Sequence, residues 1–153
     1  FRSCYVEKDT LINGYIYHKL VGPNILSENR VKYLRDSLHY IVDSSGAKVF
    51  SYKDFTTIFK SYFILASEND TACKVILMMD NYSHRIETPA GIFTTLNVRE
   101  TYCMYPNWSF NGNERYINHF YAEGIGIVKE TLPLFASDPR YRERRLVRYH
   151  LAD

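Results

Sequence analysis

The stretch that decides the fold is Ile-Phe-Thr-Thr-Leu-Asn-Val-Arg-Glu-Thr-Tyr-Cys-Met, residues 92–104. Its apolar and polar side chains alternate: Leu96, Val98 and Tyr102 stand among Thr95, Asn97, Arg99 and Thr101. Because successive side chains of a strand point to opposite faces of the sheet, this pattern predicts a long strand with one core face and one wet face. Pro89 and Gly91 precede the strand, and proline, which cannot donate a ladder hydrogen bond, is typical of a strand start.

Shorter segments of the same kind lie upstream. Residues 38–42 and 48–52 flank Asp43-Ser44-Ser45-Gly46, a turn composition that predicts a hairpin. Residues 59–66 also favour a strand because they are dense in aromatic and β-branched side chains. After a turn at Glu68-Asn69-Asp70, we expect a second hairpin, in which residues 74–80 and 85–88 pair around Asn81-Tyr82-Ser83.

The remaining segments complete an antiparallel meander. Strands are predicted at residues 15–21, 115–122, 127–132 and 144–151. Residues 27–38 leave a helix and a strand equally open, because Ser27 is a suitable N-cap and Val31, Leu34 and Leu38 recur at helical spacing. The predicted fold is an all-β or β-dominated single domain over residues 1–153. It would be an antiparallel curved sheet, an open barrel or a sandwich, with at most a short helix near 27–38.

Composition supports this fold and excludes several function classes. Among 153 residues there are 14 Tyr and 9 Phe, side chains that pack well on pleated sheets. The formal net charge of +2 is too small to indicate a nucleic-acid or anionic-membrane partner. No apolar run approaches the roughly 18 residues that a membrane-spanning helix needs, so no transmembrane segment is predicted.

The cysteines and histidines do not form a recognisable metal motif. Three cysteines without CxxC spacing and five scattered histidines predict no metal site and no cofactor. Cys73 and Cys103 would form a disulfide if they lay side by side on neighbouring strands; free thiols are the favoured alternative. Cys103 and His119 could also form a nucleophile and base on adjacent strands, which keeps open a hydrolase with a fold-assembled Cys, His and acid site.

An aromatic cluster is the best candidate for a ligand site. Five rings surround an Asn-rich loop: Tyr102, Tyr105, Trp108, Phe110 and Tyr116. Rings of this kind stack on a sugar or a peptide while amides hydrogen-bond it. The alternative is that the rings only close one end of the β domain.

The C-terminal segment is the most basic part of the chain. Its charged residues are Asp138, Arg140, Arg142, Glu143, Arg144, Arg145 and Arg148. An anion or lipid-headgroup site is one interpretation. A solvated edge strand is the favoured one, because charge keeps edge strands from pairing with other chains.

Two motifs carry a resemblance to a known family. Thr-Pro-Ala-Gly-Ile-Phe-Thr at residues 88–94 and Tyr-Ala-Glu-Gly-Ile-Gly-Ile-Val-Lys-Glu at residues 121–130 resemble the "PAGTF" and "YAPGVGLVK" elements of cell-envelope lipoproteins of Bacteroides-like bacteria. The 38–52 hairpin and the turn at 68–71 are similar to the group's "KVYYY" strand and "GDT" turn. The resemblance covers about residues 36–132. Glu123 stands where the group has Pro, and Asn69 where it has Gly.

This resemblance implies an extracytoplasmic β domain, periplasmic or anchored to the outer membrane, and brings no catalytic residues. A lipid anchor is left open: Ser3-Cys4 is similar to the end of a lipoprotein signal, but Phe1 and Arg2 fit its preceding positions poorly, and the anchor could instead lie upstream of Phe1. The leading hypothesis is a non-enzymatic envelope module that binds a small molecule, glycan or peptide through the aromatic loop. The alternative is an envelope hydrolase.

Overall fold

The computed structural model describes residues 3–23, 30–108, 114–133 and 141–151. Within these ranges the chain forms eleven β-strands and one short 3-10 helix, and it divides into two compact units, Phe1–Asp54 and Phe55–Asp153. The predicted β-dominated, antiparallel fold class is confirmed, whereas the single-domain organisation stays a prediction. Across the described ranges, no helix has the length and apolar character needed to cross a bilayer.

Unit 1 is a five-stranded antiparallel meander in which sequential strands are neighbours. Its strands are β1 (Tyr5–Ile12), β2 (Tyr15–Gly22), β3 (Arg30–Ser37), β4 (Tyr40–Asp43) and β5 (Lys48–Ser51). The β1–β2 hairpin was not predicted, although Asn13-Gly14 is a strong turn signal. Both residues have positive φ, 51° and 81°, which is the conformation of a two-residue hairpin turn.

Residues 30–37 form a strand, so the helix considered near 27–38 is wrong over that range; residues 27–29 lie outside the described part of the chain. β3 pairs with β2 on one side and with β4 on the other. Leu38, which helped to suggest a helical face, lies in the turn after β3 with φ of 58° and is 90% exposed. Pairing on both sides therefore outweighs a weak local helical pattern.

The hairpin predicted around Asp43-Ser44-Ser45-Gly46 is confirmed as β4–β5. The Asp43 carboxylate oxygen Oδ1 accepts hydrogen bonds from the backbone N–H groups of Ser45 and Ala47, at 2.9 and 3.0 Å. Gly46 takes φ of 84°, which a residue with a Cβ rarely adopts. The aspartate and the glycine together close the turn.

Unit 2 is a six-stranded antiparallel meander, also with sequential strands as neighbours. Its strands are β6 (Lys60–Ser67), β7 (Asp70–Thr88), β8 (Gly91–Met104), β9 (Arg115–Ala122), β10 (Gly126–Pro133) and β11 (Tyr141–Arg145). The strands predicted at 59–66, 92–104, 115–122 and 127–132 are confirmed within a residue or so. β6 and β11 are the two edges of this open sheet.

Two predicted features of unit 2 are wrong. Residues 81–83 are not a turn, because β7 runs without interruption from Asp70 to Thr88 and bulges so that three of its residues, 80–82, lie opposite Asn97 of β8. The last strand ends at Arg145 instead of Leu151. Leu146 leaves the sheet, although its N–H still donates to the Val128 carbonyl, and its side chain packs against a small core centred on Phe120.

The register of β7, β8 and β9 separates the sheet of unit 2 into two faces. One carries Val75, Met79, Val98 and Ile117, all nearly inaccessible to solvent, and is called the Val98 face. The other carries Asn97, Arg99, Asn118 and Tyr116 and is called the Arg99 face. The two faces predicted from the alternation in residues 92–104 are therefore confirmed, but the expected wet face is wrong in part: Thr95 and Asn97 lie on the Arg99 face and are only 2% and 0% exposed.

Candidate functional site

A polar cluster from three neighbouring strands lies on the Arg99 face. Arg99 on β8 pairs in register with Asn118 on β9, and Asp80 lies in the bulge of β7. The Arg99 guanidinium nitrogen Nη2 donates to the Asp80 carboxylate oxygen Oδ2 at 2.7 Å, and Asn97 Nδ2 donates to the same oxygen at 2.7 Å. His84 Nε2 lies 3.2 Å from that oxygen. The bulge thus places one carboxylate where three nitrogens meet it.

Asn97 connects this carboxylate to the rest of the sheet. The side chain is fully buried; its amide nitrogen also donates to the Asn118 oxygen Oδ1, and its own oxygen accepts the backbone N–H of His119. Asn118 in turn donates to the hydroxyl of Thr131 at 2.9 Å. Every member of the chain holds its neighbour in one orientation, so the cluster is rigid before any ligand arrives.

Tyr116 places an aromatic ring beside the cluster. The Arg99 guanidinium carbon lies 5.0 Å from the centre of the Tyr116 ring, within the range of a cation–π contact. The ring is 39% exposed, and its hydroxyl donates to Glu114 Oε2 at 2.6 Å, a hydrogen bond that raises the pKa of Tyr116. We call Asp80, Asn97, Arg99, Asn118 and Tyr116 the Arg99 site.

The aromatic cluster predicted from the sequence is divided by the sheet. Tyr116 lies on the Arg99 face, but Tyr102 is buried on the Val98 face. The Tyr102 hydroxyl donates to Glu100 Oε2 at 3.1 Å, and burial, with the Glu100 charge second, strongly raises the pKa of Tyr102. Tyr102 is therefore part of the buried Val98 face and not of an exposed aromatic cluster.

Tyr105 and Trp108 remain together after β8. Trp108 belongs to the 3-10 helix Pro106–Trp108, and its backbone N–H donates to the Tyr105 carbonyl. Its indole Nε1 donates to the Asp70 carboxylate at 3.0 Å, which fixes the half-buried ring against the start of β7. Tyr105 stays exposed. Phe110, the fifth predicted ring, lies outside the described residues.

The structure does not bring the proposed nucleophile and base together. Cys103 and His119 lie on opposite faces and several residues apart in the β8–β9 register. Burial raises the pKa of the Cys103 thiol, and the Glu114 carboxylate, 3.7 Å from the sulfur, raises it further. Cys73 and Cys103 also lie on opposite faces of paired strands, and the cysteines are unbridged.

His119 instead joins a network on the Val98 face that sequence reasoning missed. Its Nδ1 lies 2.9 Å from Glu130 Oε1 and its Nε2 lies 3.8 Å from Glu100 Oε1. Burial opposes the charged ring, but the hydrogen bonds and charges of the two carboxylates prevail and raise the pKa of His119. Arg144 on β11 completes the network, 2.8 Å from Glu130.

The residues of this network are far apart in the chain, and only the strand register makes them neighbours.

Among the described residues, no group of His, Cys, Asp and Glu side chains is arranged to hold a metal ion. Comparison of the chain with family models, curated proteins and solved structures gives no match. The resemblance to envelope lipoproteins therefore stays a prediction, and the function has to be argued from the sites.

Proposed function

We propose that this chain is a non-enzymatic, extracytoplasmic binding module of the bacterial cell envelope, and that its ligand is a glycan. The observation that carries the proposal is the Arg99 site, where an exposed tyrosine ring adjoins a fixed group of carboxylate, amide and guanidinium side chains. The localisation rests on the resemblance to envelope lipoproteins.

The chemistry of the site suits a sugar. The apolar side of a pyranose ring stacks on an aromatic face, and its hydroxyl groups both donate and accept hydrogen bonds. Tyr116 offers the ring, Arg99 offers donors, and Asp80 offers a second carboxylate oxygen, because within the described part of the chain its three partners all contact Oδ2. Since Arg99 and Asp80 balance each other, a neutral sugar fits better than a strongly charged one.

A pre-ordered site also favours binding over catalysis. The polar groups of the Arg99 site are already hydrogen-bonded to one another, which lowers the entropy lost when a ligand binds. The thiol that would have to act as a nucleophile has a raised pKa, and thiolate is the reactive form. The pre-ordered polar groups support a module that holds a glycan, and the raised pKa of the Cys103 thiol argues against a hydrolase with a Cys and His site.

The test is titration calorimetry with neutral tetrasaccharides of N-acetylglucosamine, glucose and galactose. We expect saturable binding of at least one, and Tyr116→Ala should weaken it about tenfold, or ~1.4 kcal/mol, because the stacking surface is lost. Thermal unfolding of the variant should change little, since the ring is exposed.

Tyr141→Ala is the matched control, because Tyr141 is an exposed tyrosine on β11, outside the Arg99 site. It should bind as the unmodified protein does. Failure of all three sugars to bind, or equal binding by Tyr116→Ala, would contradict the glycan proposal. Release of shortened sugars during the titration would favour the hydrolase instead.

A further inference from the structure

The edge strand β6 differs from every other sheet edge in the described chain. All eight of its residues, Lys60–Ser67, are exposed, and it forms the margin of the unit 2 sheet. Four consecutive large apolar residues occupy its middle: Tyr62, Phe63, Ile64 and Leu65. The exposed fractions of Phe63 and Leu65 are 56% and 59%.

The other three edges carry features that discourage pairing. β11 has four charged residues out of five, and β1 has Glu7, Lys8 and Asp9 at its centre together with a bulge. β5 is only four residues long. Charge and short length are usual protections of a sheet edge, and β6 has neither apart from a terminal lysine; like β1, it has an irregular register, with shifts between Ile64 and Leu65 and between Leu65 and Ser67.

We propose that β6 is a self-association edge, at which two copies of this chain pair antiparallel and join their six-stranded sheets. A strand edge presents unpaired N–H and C=O groups, and a second copy of the same strand supplies the matching groups. The occupant is a second copy because a two-fold antiparallel pair of this strand brings its apolar residues together and keeps its one charged residue, Lys60, away from Lys60 of the other copy.

The charge argument follows from the position of Lys60. In a pairing centred on Phe63, the Lys60 side chains of the two copies lie at opposite ends of the joint strands, so no like charges meet. The two lysines lie about 20 Å apart along the joint strands. The apolar residues meet each other, with Phe63 opposite Phe63 and Tyr62 opposite Ile64 of the second copy.

The number of copies follows from the edges. A two-fold pairing uses the β6 edge of both chains, so no β6 edge remains to bind a third copy. Pairing of two different edges would instead build open fibres. In unit 2 the second edge, β11, is charged. The association should therefore stop at two copies.

The experiment is analytical ultracentrifugation of the whole chain from low micromolar to near-millimolar concentration, with the variant Phe63→Glu. Phe63 pairs in register with Lys74 on β7, so a glutamate suits the single chain, but two glutamates would oppose each other in the pair. We expect the unmodified chain to shift from one copy to two and the variant to remain single.

Leu11→Glu is the matched control, because Leu11 is an exposed apolar residue on the β1 edge. It should pair as the unmodified chain does. Mixing Phe63→Glu with Phe63→Lys chains should restore the pair, a result that loss of folding or general loss of apolar surface would not produce.

Amide hydrogen exchange adds a second measurement. Alternate β6 amides should become protected as the concentration rises, while those of β11 should not change. A chain that stays single throughout the range, a pair that survives Phe63→Glu, or assemblies that grow beyond two copies would each overturn the proposal. Glycan binding is measured separately, by calorimetry of Tyr116→Ala and its control. Failure of the self-association proposal would therefore leave the glycan proposal to be tested on its own, and the reverse.

Discussion

The two edges of the unit 2 sheet are built in opposite ways. β11 is short and charged, and its side chains reach back into the sheet: Arg144 contacts Glu130 at 2.8 Å, and Glu143 contacts Lys129 at 2.6 Å. β6 is longer, exposed along its whole length and almost uncharged. Both strands have one neighbour, and only β11 has ion pairs to it; from β6, the Phe63 ring lies 5.9 Å from Lys74 Nζ of β7.

The difference between β11 and β6 shows that the two edges of one sheet can have different roles. The charges of β11 form ion pairs with Glu130 and Lys129, and β11 is an edge strand, as expected for residues 141–145 of the basic segment. That these charges keep other chains from pairing stays a prediction. At β6, more than half of the Phe63 and Leu65 side chains is exposed, and the strand has a single charged residue, so its free edge is suited to contact with another chain.

Glu130→Ala should show the largest effect on the comparison. Glu130 is almost fully buried and is the common partner of His119 and Arg144. Its removal takes a buried carboxylate away from Arg144 and leaves His119 with the more distant Glu100, which should lower the free energy of unfolding by about 3 kcal/mol. Urea denaturation measures the loss, and exposed Glu87→Ala is the control, with a change below about 0.5 kcal/mol. A loss in Glu130→Ala as small as that of the control would mean that β11 is not held by this network.

The expected effect of Glu130→Ala depends on contacts that the sequence alone does not indicate. The alternation in residues 92–104 correctly indicated two faces, because side-chain period is a local property. The meeting of Glu100, His119 and Glu130 depends on the register of three strands, which the β9–β10 bulge shifts by a residue. The bulge at Asp80 was mistaken for a turn because Asn and Ser are common in both.

The Arg99 site shows the same limit. Tyr102 and Tyr116 were grouped because they are close in the sequence. In the β8–β9 register, Tyr116 pairs with Thr101, the residue before Tyr102. Consecutive residues of a strand point to opposite faces, so the two rings lie on opposite sides of the sheet. The sequence indicated Arg99 only as a polar-face residue, and it did not single out Asn118. Asp80, the carboxylate that Arg99 and Asn97 contact, lies beside them because of the bulge in β7, which no local sequence pattern predicts.

A change of pH should give the next largest effect, and it should change the stability of the β11 edge but not of the β6 edge. The pKa of His119 is raised above its ordinary value of 6.5, so its contribution to stability is complete below pH 6.5 and is lost as pH rises through the folded value. The His119 hydrogen bond lowers the pKa of Glu100 below 4.5, so that contribution is present above pH 4.5 and is lost as pH falls through the folded value. The network is strongest between these limits.

We therefore expect exchange of the β11 amides to accelerate as pH rises above 6.5 and through the folded pKa of His119, after correction for the intrinsic pH dependence, while β6 is unaffected. His119→Gln should remove this difference. An equal pH response at both edges would show that protonation of His119 does not distinguish them. A response in β6 alone would reverse the comparison.

The smallest effect is expected from Leu65→Ser, and its dependence on concentration is what makes it informative. In dilute solution, where the chain is single, the exposed side chain contributes little, and the free energy of unfolding should change by less than about 0.5 kcal/mol. At high concentration the unmodified chain should gain stability, because association favours the folded state by mass action, and the variant should gain less. Thermal unfolding at both concentrations measures the two gains. Equal gains would show that the apolar middle of β6 takes no part in association, and a large loss in dilute solution would show that β6, like β11, supports the single chain.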